Sequence, residues 1–371
     1  MYKNIDIWLP SYIKQCMSRD GKKAKQALRL RHVVFCVVDH FEPKWGGAAY
    51  PYGHKQGAAT TRVDAWIERY PNLAKRHKDS EGRFPQHTFF YPIEEYEAEY
   101  LDKIAGLCKR GFGEVEIHLH HDNDTPDGLR EKIETGKKDF QKHGLLSRDK
   151  ETNEIKFGFI HGNWALDNSR KDGRWCGVNN ELMILKELGC YADFTLPSAP
   201  SNTQTRKINS IYYAKDDSDK PKSHDRGIDV KVGNVENGDL MIIQGPLALN
   251  WKTRRPGVFP KIENGEITGL NPPTKDRVDL WVEQDIHVKG KDDWIFIKVH
   301  THGAQERNLD CLLGKPMHDM YDYLETRYND GAKFKLHYVT AREMYNIVKA
   351  AEAGEAGEPG EYKDYKLRLE N

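Results

Sequence analysis

Apolar runs alternate with segments of helical spacing along most of this chain. The run VVFCVV at residues 33–38 is apolar throughout, which predicts a strand buried on both faces, as in a parallel sheet covered by helices. Segments that hold predicted strands lie at residues 32–43, 86–96, 114–124, 156–167, 292–304 and 335–340. Helical spacing is found at residues 61–77, 94–111, 127–144, 179–190, 319–330 and 341–354. This alternation predicts an α/β fold built on a parallel sheet or barrel.

The alternation of strands and helices stops between residues 207 and 290. This stretch holds short β-like runs such as SIYYAK and LMIIQGPL, with turn pairs between them and no clear helical spacing. We interpret it as a β-rich insertion in one domain that spans residues 1–350. Residues 351–371 are rich in Gly and Glu, which predicts a flexible C-terminal tail.

Composition excludes some classes of protein and favours others. Basic and acidic residues balance at 57 each, which argues against a nucleic-acid partner, because such proteins usually carry a basic excess. The six cysteines are scattered without a CxxC pair, as is typical of a reducing compartment. No apolar run approaches the length of a membrane span, so we expect a cytoplasmic protein. Nothing in the sequence indicates an oligomeric state.

The stretch EVEIHLHHDND at residues 114–124 carries the strongest chemical signal. Strand alternation puts Glu116, His118 and His120 on one face, opposite the apolar residues. His121 and Asp122 follow where the strand gives way to a loop. Imidazoles and carboxylates at a strand end suit a divalent metal such as zinc, iron, nickel or cobalt, so we predict ligands from His118, His120, His121 and Asp122.

Other predicted strands also end in polar residues. These are Asp39 and His40; His161, Asn163 and Trp164; and His300 and His302. The carboxyl ends of parallel strands meet at one edge of a sheet, so the sequence predicts one site that gathers these groups. Lys298 shares the inward face of its strand with His300, and we expect it to pair with Glu116, because a buried charge needs a partner.

The order of these motifs resembles the polysaccharide deacetylases of the NodB-homology type, in a divergent polysaccharide-biosynthesis branch. The segments VVDHFEP, HGNWALD, IFIKVH and VTAREMYN carry the resemblance, which covers residues 33 to 339. It implies a distorted (β/α) barrel of about seven parallel strands, of the glycoside hydrolase/deacetylase type. It further implies that Asp39 is the catalytic base, His40 a metal ligand and His300 the general acid. The second motif departs from the family, because Asp122 stands where a histidine is usual, and the HGNW segment lacks the usual arginine.

The resemblance implies a metal-dependent hydrolase, with zinc as the first choice of metal. Such an enzyme would remove acetyl groups from an amino sugar or glycan precursor of surface polysaccharide such as O-antigen. The carbohydrate would be bound by His161, Asn163, Trp164 and His302, with the Trp164 indole stacked on an apolar sugar face. Two alternatives stay open. The HxH pairs also occur in amidohydrolases and PHP phosphoesterases, and the unusual motifs would suit a glycan-binding protein without catalysis.

Overall fold

The computed structural model describes residues 2–20, 29–45, 58–234, 238–254 and 260–370. Its strands are β1 Arg31–His40, β2 His87–Pro92, β3 Gly113–Leu119, β4 Ser147–Asp149, β5 Ile155–His161, β6 Cys190–Asp193, β7 Ile211–Ala214, β8 Gly227–Asp229, β9 Leu240–Ile243, β10 Ala248–Arg254, β11 Pro260–Glu263, β12 Glu266–Ile267, β13 Trp294–Thr301, β14 Phe334–Tyr338 and β15 Leu367–Leu369. Its α-helices are α1 Leu9–Asp20, α2 Ala58–Ala74, α3 Ala98–Leu107, α4 Pro126–Gln141, α5 Glu181–Glu187, α6 Lys275–Glu283, α7 Glu306–Leu312, α8 Lys315–Tyr328 and α9 Ala341–Ala353. Within these ranges, no helix combines the length and apolarity needed to cross a bilayer.

One large sheet organises the described chain. Its strands follow the order β12-β13-β1-β2-β3-β5-β6-β9-β7-β8, and β14 also pairs with β1. All pairs from β12 to β9 are parallel, whereas β9, β7 and β8 pair antiparallel. The predicted mixed α/β fold with a mainly parallel sheet is confirmed. Closure of the sheet into a seven-stranded barrel stays a prediction.

Both faces of the sheet are buried, because the central strands alternate between two apolar layers. In β1, Val33, Phe35 and Val37 pack with residues of α2, α3, α4, α5 and α8. The alternate residues Val34, Cys36 and Val38 pack with residues of α9. We call these the helix-layer face and the α9 face. The run of apolar residues in β1 follows from this double burial.

The insertion predicted at residues 207–290 is partly helical. β7, β8 and β9 extend the main sheet, and β10 and β11 form a separate antiparallel pair. The prediction that this stretch has no helix is wrong, because α6 runs through it, with the Thr274 side chain accepting a hydrogen bond from the backbone N–H of Arg277. Val278, Trp281 and Val282 are its buried apolar residues. Arg277 is buried with them, and its charge interrupts the apolar spacing that would predict a helix.

The C-terminal segment differs from the flexible tail that its composition predicts. β15 pairs antiparallel with β4, and Leu367 is buried. The side-chain amide of Asn346 on α9 donates to the carbonyls of Lys363 and Leu367 at 2.6 and 2.8 Å. These contacts hold a Gly- and Glu-rich segment in place although its own sequence has little structural propensity.

Candidate metal centre at the carboxyl edge of the sheet

Several histidines converge on the α9 face where the parallel strands end. His40 closes β1, and its ring centroid lies 4.9 Å from that of His118 on β3 and 6.3 Å from that of His300 on β13. His302, just beyond β13, stacks on His40 at 4.6 Å. The structure therefore brings together four of the predicted site residues from three strands. Alternation of side chains places the even-numbered members of these strands on the same side.

Three of the side chains aim ligand atoms at one point. Oε1 of Glu42 lies 3.0 Å from Nε2 of His120 and 3.4 Å from Nε2 of His118, and these three atoms lie within 4.8 Å of one another. We call Glu42, His118 and His120 the Glu42 cluster. Two imidazoles and a carboxylate form a donor set found at catalytic zinc sites, where a fourth position is left for water.

The outer nitrogens of both imidazoles are held by further acceptors. Nδ1 of His118 donates to the carbonyl of Ile160 at 2.7 Å, so its Nε2 carries the lone pair that a metal needs. Nδ1 of His120 donates to the carboxylate of Glu94 at 2.6 Å. This carboxylate–histidine arrangement commonly orients metal ligands. The residues present therefore fit a divalent metal ion.

Burial and neighbouring charges set the protonation states around the cluster. Burial, reinforced by the nearby imidazoles, holds the pKa of His40 well below its ordinary value. Burial, with the charge of Lys298, lowers the pKa of His300 in the same way. Both rings are therefore neutral at pH 7, with a lone pair that can accept a proton.

His120 carries the opposite charge state when no metal is bound. Burial opposes its protonation, yet the hydrogen bonds to Glu42 and Glu94 outweigh that effect and raise the pKa of His120 to about 10. Burial likewise opposes ionisation of Glu42, but the hydrogen bonds from His118 and His120 hold the pKa of Glu42 well below its ordinary value. The cluster thus already accommodates a cation, which is a proton in this state. A metal ion would displace it.

Asp39, predicted as the base, does not join these histidines. Its carboxylate is fully buried on the helix-layer face, where it accepts hydrogen bonds from Nε2 of His87 at 2.8 Å and from the backbone N–H of Gly303 at 2.5 Å. The side chains of Asp39 and His40 point to opposite sides of β1. The observed contacts of Asp39 hold the turn that follows His302.

Three other predicted residues also lie apart from the Glu42 cluster. His121 and His161 are on the helix-layer face, where their Nε2 atoms are 2.8 Å apart. Asp122 is exposed, and its carboxylate accepts hydrogen bonds from the backbone N–H groups of Asn123 and Trp175. The sheet therefore separates the predicted ligands into two groups.

Trp164 lies beside the histidines of the α9 face. Its ring centroid is 6.1 Å from that of His40 and 5.9 Å from that of His302. Asn163 and Trp164 are both half-buried and both have positive φ, at 55° and 56°. Gly162 precedes them, and a Cβ at this position would lie 2.3 Å from Cδ2 of the His120 ring. The turn thus packs directly on the Glu42 cluster.

The sequence reasoning missed Glu42 and Glu94 as members of the site. Glu42 stands two residues after His40, a spacing that predicts the same side of an extended chain. That signal was available. Glu94 follows β2 in a stretch with three further glutamates at residues 95, 97 and 99, and only the folded structure distinguishes it from them.

Comparison with solved structures finds chains that are similar to this one. No family model and no curated protein matches the chain. A crystal structure from Mycobacterium smegmatis, provisionally described as a polysaccharide deacetylase, is similar over 89% of this chain and 94% of its own, with 10% sequence identity and a TM-score of 0.47. What the chain does is therefore inferred from the geometry of its own site.

Proposed function

We propose that the protein is a metal-dependent hydrolase that removes acetyl or other acyl groups from the nitrogen of an amino sugar or glycan precursor, as in surface polysaccharide biosynthesis. The observation that carries this proposal is the convergence of Glu42, His118 and His120 beside two neutral buried imidazoles. The sequence motifs that resemble polysaccharide deacetylases support the choice of substrate. The half-buried indole of Trp164 at the same edge suits a sugar face.

The Glu42 cluster would hold the metal, with zinc as the ion that best suits two imidazoles and a carboxylate. When bound, a divalent ion polarises a carbonyl and lowers the pKa of a coordinated water. The side chain of His120 retains 19% exposure, so the cluster faces an approach from solvent. An accessible site is what a substrate requires.

Proton transfer is assigned to the neutral imidazoles. Amide hydrolysis moves a proton from water to the leaving nitrogen, and a neutral imidazole can accept the proton first and then donate it. In this proposal His40 takes the base role predicted for Asp39 and then donates the same proton to the leaving nitrogen. His300 is also neutral, so it can fill its predicted donor role only by accepting that proton first. Asp39 becomes a positioning residue, because it binds the turn after His302.

A paired measurement of metal content and acetate release tests the proposal. We expect the purified protein to release acetate from N-acetylated glucosamine oligomers, to lose this activity with a chelator, and to recover it with zinc. His118→Ala should reduce the activity more than about 100-fold, because it removes a ligand. His143→Ala is the matched control, since His143 is a carboxylate-paired histidine bonded to Asp102 outside the cluster.

Two results would contradict the proposal. Turnover of phosphoesters but not of acetylated sugars would favour a phosphoesterase. Glycan binding by a protein without metal at the Glu42 cluster, and without any hydrolysis, would favour a binding protein.

A further inference from the structure

A second cluster of donor atoms lies on the helix-layer face of the sheet. It comprises His121, His161, Cys176 and Glu181, all buried, with one ligand atom from each within 4.8 Å of the others. We call it the Cys176 cluster. Among the donor groups that the described residues form, it alone contains sulfur. It shares no member with the Glu42 cluster.

Two of the four donor–donor distances within the Cys176 cluster match those around a small tetrahedral ion, and the other two are shorter. Nε2 of His121 is 2.8 Å from Nε2 of His161 and 3.1 Å from Oε1 of Glu181. Nε2 of His161 is 3.4 Å from the same oxygen, and Sγ of Cys176 is 3.5 Å from Oε2 of Glu181. Bonds of about 2.0–2.3 Å around a tetrahedral zinc separate ligand atoms by about 3.3–3.6 Å.

The hydrogen bonds of the two imidazoles require a cation between them. Nδ1 of His161 is 2.6 Å from the carbonyl of Gly162, which can only accept, so that nitrogen carries the proton. Nδ1 of His121 donates to Asp124, whose carboxylate also binds Lys132. If both rings are neutral, two lone pairs face each other beside the carboxylate of Glu181. A proton or a metal ion must neutralise this repulsion.

The sulfur and the carboxylate are also fixed by the surrounding backbone. Sγ of Cys176 accepts hydrogen bonds from the N–H groups of Asn168 at 3.3 Å and Val178 at 3.4 Å. Oε2 of Glu181 accepts from the N–H of Asp167 at 2.5 Å. Amide donors to a thiolate and to a carboxylate are the outer contacts that steady metal ligands. A proton alone would not require a cysteine in this position.

We propose that His121, His161, Cys176 and Glu181 bind a structural zinc ion, separate from the metal of the Glu42 cluster. Four protein ligands, each no more than 7% exposed as a residue, leave no open position for water, which is typical of structural and not catalytic zinc. The proposal does not rest on the proposed hydrolase activity.

The ion would tie down the loop that carries Trp164. His161 and Cys176 bracket residues 162–175, within which Asn163, Trp164, Asp167, Asn168 and Trp175 have positive φ. L-residues adopt this conformation at a cost, so the loop needs strong restraints. Ligands at both ends, together with Glu181 on α5, supply such restraints. The zinc would thereby hold Trp164 at the edge of the sheet beside His40.

Cobalt substitution tests the proposal in a variant that lacks the first site. Glu42→Ala/His118→Ala removes two ligands of the Glu42 cluster and leaves His121 and its neighbour His120 unchanged. We expect this double variant to retain one metal per chain and, with Co²⁺, to show the near-ultraviolet charge-transfer band of a thiolate ligand. Adding Cys176→Ser should abolish the band. Adding Cys190→Ser, another buried thiol but one bonded only to a carbonyl, should leave it unchanged.

X-ray absorption of the zinc-loaded double variant decides the question if Cys176→Ser does not fold. One sulfur at about 2.3 Å with nitrogen and oxygen neighbours supports the proposal. A double variant that retains no metal, or a metal with nitrogen and oxygen ligands alone, overturns it. In the unmutated protein, a single sulfur-bound ion per chain would support this site and contradict the proposed hydrolase centre, so the two proposals fail separately.

Discussion

Asp39 and His40 are neighbours in the chain, yet their side chains lie on opposite faces of β1. His40 contacts His118 and His302, whereas Asp39 binds His87 and the turn at Gly303. Strand alternation alone predicts this division, and it also predicts that Glu42 continues the side of His40. The family resemblance instead implied adjacent roles for Asp39 and His40. At this scale, alternation was the better guide to which groups meet.

Glu94 offers a test of the Glu42 cluster at the scale of one residue. Glu94→Gln removes the charge that orients His120, so metal affinity should fall about 10–100-fold while activity at saturating metal is largely retained. Metal titration followed by acetate release measures both quantities. Glu97→Gln is the control, because Glu97 is an exposed partner of Lys44 in the same segment and should have no effect. Equal affinities in the two variants would contradict the role of Glu94.

The expected pair of Glu116 and Lys298 does not form. Glu116 accepts hydrogen bonds from Tyr191 and from the backbone N–H of Gly158, while Lys298 donates to the carbonyls of Phe194 and Leu196. Burial raises the pKa of Glu116 to about 8, and burial lowers the pKa of Lys298 to about 7. Each buried group therefore has hydrogen-bond partners in its own neighbourhood instead of the expected ion pair. The sequence shows that both point inward but not which neighbours satisfy them.

Glu116→Gln should therefore remove a pH dependence of stability. Between its ordinary pKa of 4.5 and the native value of about 8, the unfolded state holds fewer protons at Glu116 than the native state. The unfolding free energy of the wild type then falls as pH rises, by up to about 1.4 kcal/mol per pH unit. In urea unfolding, the free energy of unfolding of the variant should rise relative to that of the wild type as the pH increases from 5 to 8. Glu131→Gln, on the exposed side of α4, is the control. Its free energy of unfolding should differ from that of the wild type by the same amount at each pH.

Helix α6 shows why apolar spacing predicts a β-rich insertion although part of it is helical. Its buried side includes Arg277, whose guanidinium binds Glu263 at the end of β11 at 2.7 and 2.8 Å. A charged residue on the buried side interrupts the apolar spacing by which helices are recognised. The strands and helices with uninterrupted apolar spacing lie where the pattern predicts them. Cys176 lies in loop 162–180, which has no such pattern, so the sequence does not predict that Cys176 meets His121 and His161.

The ion pair of Arg277 and Glu263 should contribute far more to the free energy of unfolding than an exposed ion pair on the same helix. Glu263→Gln leaves a buried guanidinium without its counter-charge, so we expect a loss of about 3–5 kcal/mol in unfolding free energy. Asp276→Asn breaks the exposed pair with Lys252, which water screens, and should cost far less. Urea unfolding of both variants provides the comparison, and similar losses would contradict the structural role of the buried pair.

The parallel direction of the main sheet is predictable from the sequence, because strands and helices alternate from β1 onward. The antiparallel extension by β7, β8 and β9 was not, since their runs of four or fewer residues fix no partner. The C-terminal segment was also beyond reach, because its order comes from distant residues. Arg342 on α9 binds both Glu114 on β3 and Asp364 in this segment.

Removal of residues 363–371 should therefore destabilise the protein. Arg342 would lose Asp364 and two backbone carbonyls, and Asn346 would lose its partners at residues 363–367. Buried polar groups left without partners cost free energy, so we expect a loss of at least about 2 kcal/mol. The midpoint of urea unfolding measures it, with deletion of residue 371 alone as the control. An unchanged midpoint would restore the view of a dispensable tail.

Two adjacent residues belong to different clusters: His120 is part of the Glu42 cluster and His121 is part of the Cys176 cluster. Successive side chains of an extended chain point in opposite directions, so any rotation of this segment about its own axis displaces both rings together. The geometry of the Glu42 cluster is consequently linked to that of the Cys176 cluster. A substitution that moves the backbone of this dipeptide, in evolution or engineering, must therefore preserve the ligand positions of both clusters.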